Sequence, residues 1–186
     1  MRTNQSSLEK SPVVCRVLCD PATFSEVYDQ FAEKLYRYAF LRLSSKEDAE
    51  DVLSTTFLKF WDYLNKNTTR TLSNIPAFLY RIARNLIIDQ YRARTPTLSV
   101  ELLFEQGFEL PAHADGVSIM KKAEYELVIG ALSKLSDDDR DVLLLRFIDG
   151  LPVVDIAELY SITENNTSVR IHRALGRLKE IMHTNV

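Results

Sequence analysis

Glycine, proline and cysteine are scarce in this sequence of 186 residues, which contains five, six and two of them respectively. The low glycine and proline content excludes collagen-like chains, low-complexity chains and glycine-rich loops that hold phosphates. No run approaches the roughly 18 consecutive apolar residues that a membrane span needs. The first ten residues are polar and lack the apolar core of a secretory signal. We therefore expect a cytoplasmic protein with no membrane insertion.

The sequence also lacks a recognisable catalytic arrangement. Its three histidines, His113, His172 and His183, are scattered and pair with no serine or cysteine at a useful spacing. Cys15 and Cys19 are four residues apart, which would place both thiols on one helix face as a metal pair. The alternative, which we favour, is two reduced and half-buried thiols. We expect no catalytic residue, no metal and no cofactor, and hence no enzyme.

Charge is distributed unevenly around a net value of −3. Pro76–Arg94 contains four arginines and one aspartate, and Glu164–Lys179 contains three arginines and one lysine against one glutamate. Two short basic stretches in an otherwise acidic chain favour docking on a polyanion in one orientation, rather than binding of any polyanion.

Apolar residues follow a helical spacing nearly throughout, which predicts an all-α fold. Residues 95–117 break this pattern and contain acidic residues but no lysine or arginine, so they predict an acidic linker. The chain should therefore form two small helical domains, residues 24–94 and 118–186, after an N-terminal extension, residues 1–23, that has no interpretation. The predicted helices are Phe24–Leu43, Ser45–Leu64 with Ser45 as its cap, Pro76–Arg94, Ser118–Leu135, Asp137–Phe147 with Ser136 as its cap, Pro152–Tyr160 and Glu164–Met182.

The segment Val153–Leu175 has the pattern of a helix–turn–helix. Ala157 is small where two helices cross, and Ser161 stands four residues later in the turn. The second helix of such a unit enters the major groove and presents its N-terminal residues to base edges. A helical hairpin with a solvated charged face is the alternative, but the basic second helix favours DNA contact.

Two further surfaces are predicted in the first domain. Arg81, Arg84, Asn85 and Arg92 fall within roughly a 100° arc of the third helix, where they can follow phosphates beside the polar loop Asn65–Asn74. Acidic residues border an apolar stripe on the second helix, a pattern typical of a protein–protein interface. We expect much of that stripe, which includes Phe57, Phe60 and Trp61, to be core.

These three motifs, in this order, resemble the extracytoplasmic-function (ECF) group of bacterial sigma factors, the promoter-recognition subunits of RNA polymerase. Residues 24–94 resemble sigma region 2, with DAEDVLSTTFLKFW similar to the segment that binds the β′ clamp and FLYRIARNLIIDQYR similar to the segment that melts and reads the −10 element. Residues 132–182 resemble region 4, the reader of the −35 element. The resemblance implies core polymerase (the β′ clamp and the β flap), promoter DNA and an anti-sigma factor as partners.

The resemblance also implies roles for individual residues. Core polymerase would contact Asp48, Glu50, Asp51 and Leu53. Asn85 and the loop Asn65–Asn74 would hold a flipped −10 base, while Arg81, Arg84 and Arg92 would hold phosphates. The −35 major groove would be faced by Ser168, Val169, Arg170, His172 and Arg173. The acidic linker would thread the polymerase cleft.

The sequence departs from the family pattern in the second domain. Family members often have glycine where Ser161 stands, so the turn is expected to be strained or differently shaped. An apolar residue is usual at Thr167, and lysine or arginine is usual at Ser168. Two other functions remain open from the sequence alone, namely a dimeric helix–turn–helix regulator that acts without polymerase and a helical adaptor with no DNA role.

Overall fold

The computed structural model describes residues 12–93 and 122–184, and the chain divides into two compact units after Pro96. Each unit has its own buried apolar core. The described residues are helical apart from turns and two strands of two residues each, which confirms the predicted all-α class. The predicted linker, residues 95–117, lies outside the described residues. No helix within 12–93 or 122–184 is long and apolar enough to cross a membrane.

The first unit is built on three long helices and a short one. They are α1 (Cys15–Leu18), α2 (Pro21–Leu43), α3 (Lys46–Lys66) and α4 (Ile75–Ala93). The side chains of Asp20, Ser45 and Asn74 cap the three long helices by accepting from the backbone N–H three residues on, at 3.2, 3.2 and 2.9 Å. Such caps satisfy N–H groups that have no partner within the helix.

Two short strands connect the start of this unit to the segment between α3 and α4. Strand β1 (Val13–Val14) pairs antiparallel with β2 (Thr71–Leu72). The helix α2 begins three residues before the predicted Phe24, because Asp20 caps it and Pro21 fits its first turn. The helix α3 continues through Lys66, so the predicted loop Asn65–Asn74 is shorter than expected and contains β2.

Within residues 122–184, the second unit has four α-helices. They are α5 (Lys122–Ser133), α6 (Asp137–Leu143), α7 (Val153–Tyr160) and α8 (Glu164–Thr184), with a π-helical turn at Leu144–Ile148 that continues α6. Ser136 caps α6, as predicted, and accepts from the Asp139 N–H at 3.3 Å. Gly150 follows the π-helical turn with a φ of 71°, a conformation that glycine adopts without a steric penalty.

Arg140 fastens the turn between α5 and α6. Its guanidinium is buried and donates hydrogen bonds to the carbonyls of Leu132, Ser133 and Leu135 at 3.0, 3.0 and 3.3 Å. These are charge-assisted bonds to carbonyls at the C-terminal end of α5, where a cation is also favoured by the helix dipole. The arrangement fixes the approach of α6, against which α8 packs.

Candidate polymerase and nucleic-acid interfaces

An acidic face, formed by Asp48, Glu50 and Asp51, lies near the N-terminus of α3. Glu50 and Asp51 are exposed and Asp48 is half-buried, while Glu50 pairs with Lys46 at 3.8 Å. Leu53, the fourth residue predicted at this surface, is half-buried. Carboxylates are favoured at this end of a helix by its dipole. The face is therefore a negatively charged surface on a helix, with a partly accessible apolar side chain beside it.

The opposite side of α3 is core. Phe57 and Phe60 are 5% and 0% exposed, which confirms that much of the apolar stripe is buried. The ring of Phe24 packs edge-on against Trp61 with centroids 4.9 Å apart, and it stacks near Phe60 at 6.0 Å. Trp61 remains half-exposed. These aromatic contacts attach α2 to α3 and hold the acidic face in a fixed orientation.

The basic edge of α4 consists of Arg81, Arg84 and Asn85, which lie three and four residues apart. Both arginines are half-buried and Asn85 is exposed. The side chain of Arg92, the fourth predicted member, lies outside the described residues. The buried side of the helix comprises Leu79, Tyr80, Ala83 and Ile87. The structure thus brings three of the four predicted residues to one edge of α4.

The segment between α3 and α4 lies just before this edge. Asn74 is almost completely buried and caps α4, so its side chain is committed to the fold. Asn67 donates from its amide nitrogen to the Tyr63 carbonyl at 2.8 Å, which closes the end of α3. Thr68, Thr69 and Arg70 are exposed. The middle of the predicted loop is therefore accessible to a base, as are Asn65, Lys66, Thr71 and Ser73, whereas Leu72 and Asn74 are buried.

The N-terminal segment supports this loop, a role that the sequence analysis did not assign. The Cys15 N–H donates to the Arg70 carbonyl at 2.8 Å, and the Arg16 N–H donates to the Thr68 carbonyl at 3.1 Å. Cys15 and Leu18 are fully buried. The apolar run VVCRVL, in an otherwise polar N-terminus, is the signal in the sequence that indicates packing of this segment.

The helices α7 and α8 form the predicted helix–turn–helix. Ser161 adopts a left-handed conformation with φ 56° and ψ 42°, and the Ile162 N–H donates to the Ala157 carbonyl at 3.0 Å. The turn therefore has the backbone shape that favours glycine, with serine held in it. Thr167 is fully buried, and its hydroxyl is satisfied by donating to the Thr163 carbonyl at 3.1 Å.

Four of the five side chains predicted to face the −35 groove are exposed on α8. We call this set the reading face, and it comprises Ser168, Val169, His172 and Arg173. Thr167, Ile171 and Ala174 form the buried side of the same helix. Val169 is an apolar side chain left 41% exposed, which is suited to contact with a thymine methyl group.

Arg170, the fifth predicted residue, is engaged within the unit. Its guanidinium pairs with Asp138 of α6 at 2.9 Å and lies 4.7 Å from the centre of the Tyr160 ring. The Tyr160 hydroxyl in turn donates to the buried carboxylate of Asp141 at 2.6 Å. Arg170 therefore differs from the reading face in having partners from two other helices.

Two protein-family models match the chain. Sigma-70 region 2 matches residues 27–97, and sigma-70 region 4 matches residues 131–180. The ECF RNA polymerase sigma factor SigW of Bacillus subtilis is 28% identical over 169 residues, covering 87% of this chain and 89% of SigW. The ECF sigma factor SigM of the same organism is 27% identical over 169 residues, covering 88% of this chain and 98% of SigM. The chain belongs to the ECF sigma factors.

The fold of this ECF sigma factor is also similar to a solved structure. The crystal structure of the sigma factor RpoE in complex with the anti-sigma factor NepR from Bartonella quintana has a TM-score of 0.62 and 23% sequence identity. The match covers 88% of this chain and 98% of that chain. The likeness supports the fold of an ECF sigma factor.

The matched segments contain every residue predicted for the interfaces. The acidic face, Leu53 and the basic edge lie within region 2, and the reading face and Arg170 lie within region 4. Residues 13–18, which support the loop before α4, precede the matched segment. Among the described residues no group of three or more histidine, cysteine or acidic side chains is arranged to hold a metal ion.

Proposed function

We propose that this ECF sigma factor binds core RNA polymerase through its first unit and recognises −10 and −35 promoter elements with the first and second units respectively. The observation that carries the proposal is that one compact unit matches sigma-70 region 2 and the other matches sigma-70 region 4. Each unit also has an exposed polar or charged surface on at least one helix. The protein acts by positioning polymerase and contributes no catalytic residue or cofactor of its own. It acts in the cytoplasm, where the polymerase is.

The acidic face is the proposed contact with the β′ clamp of core polymerase. Asp48, Glu50 and Asp51 supply charge that orients the docking, and Leu53 supplies apolar area at its edge. Since α3 is fixed by its aromatic side, the face presents its charges without a large entropic penalty on binding. The β flap is the proposed partner of the second unit.

The basic edge and the loop before it are the proposed −10 site. Arg81, Arg84 and Arg92 neutralise phosphates, while Asn85 and the exposed middle of the loop hold a flipped base. Unstacking a base costs a few kcal/mol, and its capture by the protein offsets part of that cost. Asn85 is exposed and has both a donor and an acceptor, as base recognition requires.

The reading face is the proposed −35 site. Arg173 is able to donate two hydrogen bonds to guanine, Ser168 and His172 provide further polar contacts, and Val169 provides an apolar one. The number of phosphates that either unit neutralises is small, so the free protein should bind duplex DNA weakly. Polymerase, by holding both units, makes the second DNA contact effectively intramolecular.

An anti-sigma factor is the proposed regulatory partner. The Bartonella quintana sigma factor with a similar fold was crystallised in complex with such a protein. An inhibitor that covers either the acidic face or the DNA-binding surfaces would prevent formation of an active holoenzyme.

In vitro transcription with core polymerase tests the proposal. We expect promoter-specific transcripts only when this chain is added, and sequencing of their start sites would give the two promoter elements. A polymerase-independent regulator would instead bind a palindromic operator tightly without polymerase. An adaptor would do neither. Absence of transcripts from any genomic template would refute the proposed function.

The substitution Asp51→Lys tests the polymerase contact. We expect it to weaken binding to core polymerase by roughly tenfold, because it reverses an exposed charge at the proposed interface. Asp62→Lys is the matched control, since it makes the same change on an exposed residue of α3 about 16 Å further along the helix. Equal affinity of the two variants, measured by competition with labelled wild-type protein, would remove Asp51 from the interface.

A further inference from the structure

The contacts of Arg170 point to a role that differs from that of the reading face. Its guanidinium pairs with Asp138 at 2.9 Å, which comes from the first turn of α6. The same group lies over the ring of Tyr160, the last residue of α7. One side chain of the recognition helix α8 thus bridges two of the helices that α8 packs against.

The second layer of this cluster is buried. Asp141 is 1% exposed and accepts the Tyr160 hydroxyl at 2.6 Å. The Tyr160 ring is therefore held from one side by a buried carboxylate, and its face is available to the guanidinium. A planar guanidinium that stacks on an aromatic ring and also donates to a carboxylate has few alternative orientations.

Accessibility is consistent with this arrangement. The side chain of Arg170 is 29% exposed, whereas the reading-face residues Ser168, Val169 and His172 are exposed. One guanidinium nitrogen of Arg170 is engaged by Asp138, and the guanidinium lies over the Tyr160 ring, so fewer of its donors are available to a base or a phosphate than in a fully exposed arginine. Arg173, one turn further along α8, is exposed.

We propose that Arg170 is a positioning residue for −35 recognition: it holds the first turns of α8 on α6 and α7 and leaves contact with the bases to the reading face. The proposal rests on the proposed function of α8 as the −35 reader. It assigns to Asp138, a residue of α6 outside the helix–turn–helix, a share in promoter specificity.

This proposal and a direct DNA contact by Arg170 predict opposite effects of removing Asp138. If Arg170 contacts DNA, Asp138 competes with the DNA, and Asp138→Asn should strengthen −35 binding. If Arg170 positions α8, Asp138→Asn should weaken discrimination between correct and incorrect −35 elements. Asp137→Asn is the matched control, because it removes the same charge one residue earlier, from a carboxylate that pairs with Arg140 at 3.7 Å.

The experiment uses the holoenzyme, formed from core polymerase and the full chain. Initiation is measured on a promoter with its selected −35 element and on one with that element scrambled, and the ratio of the two rates is the discrimination. We expect Arg170→Gln and Asp138→Asn each to lower this ratio by roughly fivefold relative to Asp137→Asn. The double variant should lose no more than the worse single variant, because both act through one contact.

Salt dependence separates a positioning role from a phosphate contact. Loss of one phosphate contact lowers the slope of log affinity against log salt concentration by about 0.9. We expect Arg170→Gln to leave this slope within half of that amount. Tyr160→Phe retains the ring but removes the hydroxyl bond to Asp141, and should lower discrimination less than Arg170→Gln does.

Three results would overturn the proposal. The first is a ratio of initiation rates for Asp138→Asn that equals or exceeds the ratio for Asp137→Asn. The second is a loss of this ratio in the double variant that equals the sum of the two single losses. The third is a salt slope for Arg170→Gln that falls by the full amount expected for one phosphate contact. If Arg170→Gln does not fold, as judged by circular dichroism, Asp138→Asn against Asp137→Asn decides the question alone. Failure of the proposed function is distinguishable, since wild-type protein would then give no transcript from any promoter.

Discussion

Ser161 shows how much of the turn geometry is set by the surrounding helices. It adopts φ 56°, a region that costs a residue with a Cβ atom roughly 1–2 kcal/mol. The sequence left open whether this turn would be strained or differently shaped. In the structure Ser161 has the left-handed backbone conformation that glycine would adopt. The turn therefore keeps its shape, and the presence of serine causes local strain.

Replacing Ser161 by glycine should therefore stabilise the second unit. We expect Ser161→Gly to raise its free energy of unfolding by about 0.5–1 kcal/mol, because relief of strain exceeds the added freedom of the unfolded chain. Ser168→Gly, in the regular part of α8, should instead lower it by about 0.5 kcal/mol. Trp61 lies in the first unit, so its fluorescence reports the unfolding of that unit. The calorimetric transition that the fluorescence does not follow is then the unfolding of the second unit. Equal effects of both substitutions would contradict the assignment of strain.

The buried thiol of Cys15 links stability of the first unit to pH. Burial, and to a lesser extent the neighbouring Cys19, raises the pKa of Cys15 above its ordinary value of 9.0. The unfolded chain then loses the thiol proton at a lower pH than the folded chain does. Stability from this group is present below pH 9 and is lost as the pH rises through the raised pKa.

We accordingly expect the free energy of unfolding of the first unit to fall more steeply above about pH 9 in the wild-type protein than in Cys15→Ala. Urea titrations followed by Trp61 fluorescence at several pH values between 7 and 10 would measure it. The difference between the two proteins is the informative quantity, since other groups titrate in both. Parallel pH profiles would show that the thiol does not contribute.

At the scale of helices and strands, the sequence predicts those features that depend on residues close together in the chain. Helical spacing predicts the long helices, and capping predicts the starts at Ser45 and Ser136. The projection of α4 likewise predicts an edge shared by Arg81, Arg84 and Asn85. The pairing of β1 with β2 was missed, because strands of two residues carry no period and form through a tertiary contact. The engagement of Arg170 was missed for the same reason, since its partners come from α6 and α7.

The paired strands predict an effect of the N-terminus on the loop before α4. Deletion of residues 1–14 removes β1 but retains the buried Cys15 and Leu18. We expect amide exchange in residues 67–73 to accelerate by roughly tenfold, because the loop loses its pairing partner. Residues 35–42 of α2 serve as the internal control in the same hydrogen-exchange mass spectrometry experiment. Unchanged exchange in the loop would show that β1 does not restrain it.

At the scale of the whole molecule, the two compact units have separate cores and different charge. Residues 1–94 carry a net charge of +3 and residues 118–186 a net charge of −2, so the proposed approach of the second unit to DNA depends on the local basic character of α8. The domain boundaries proposed from the sequence place the units at 24–94 and 118–186. They remain a prediction, and expression of separate fragments tests them.

We expect fragments 1–94 and 118–186 each to fold cooperatively, because each contains all the buried apolar residues that the structure describes in its unit. An equimolar mixture with core polymerase should give transcription on the order of 100-fold weaker than the intact chain, since the second DNA contact is no longer intramolecular. Circular dichroism and thermal denaturation check folding, and initiation assays check the loss. Full activity of the mixture would show that the covalent link is not required.

The division of α8 into a packed side and a reading face has a consequence for evolutionary divergence. Thr167, Ile171 and Ala174 attach the helix to its unit, whereas Ser168, Val169, His172 and Arg173 are exposed. Exposed substitutions usually change stability by no more than about 0.5 kcal/mol. With α8 as the proposed −35 reader, a duplicated copy of this gene would be able to change its −35 preference through these four codons, without first accumulating compensating mutations in the core.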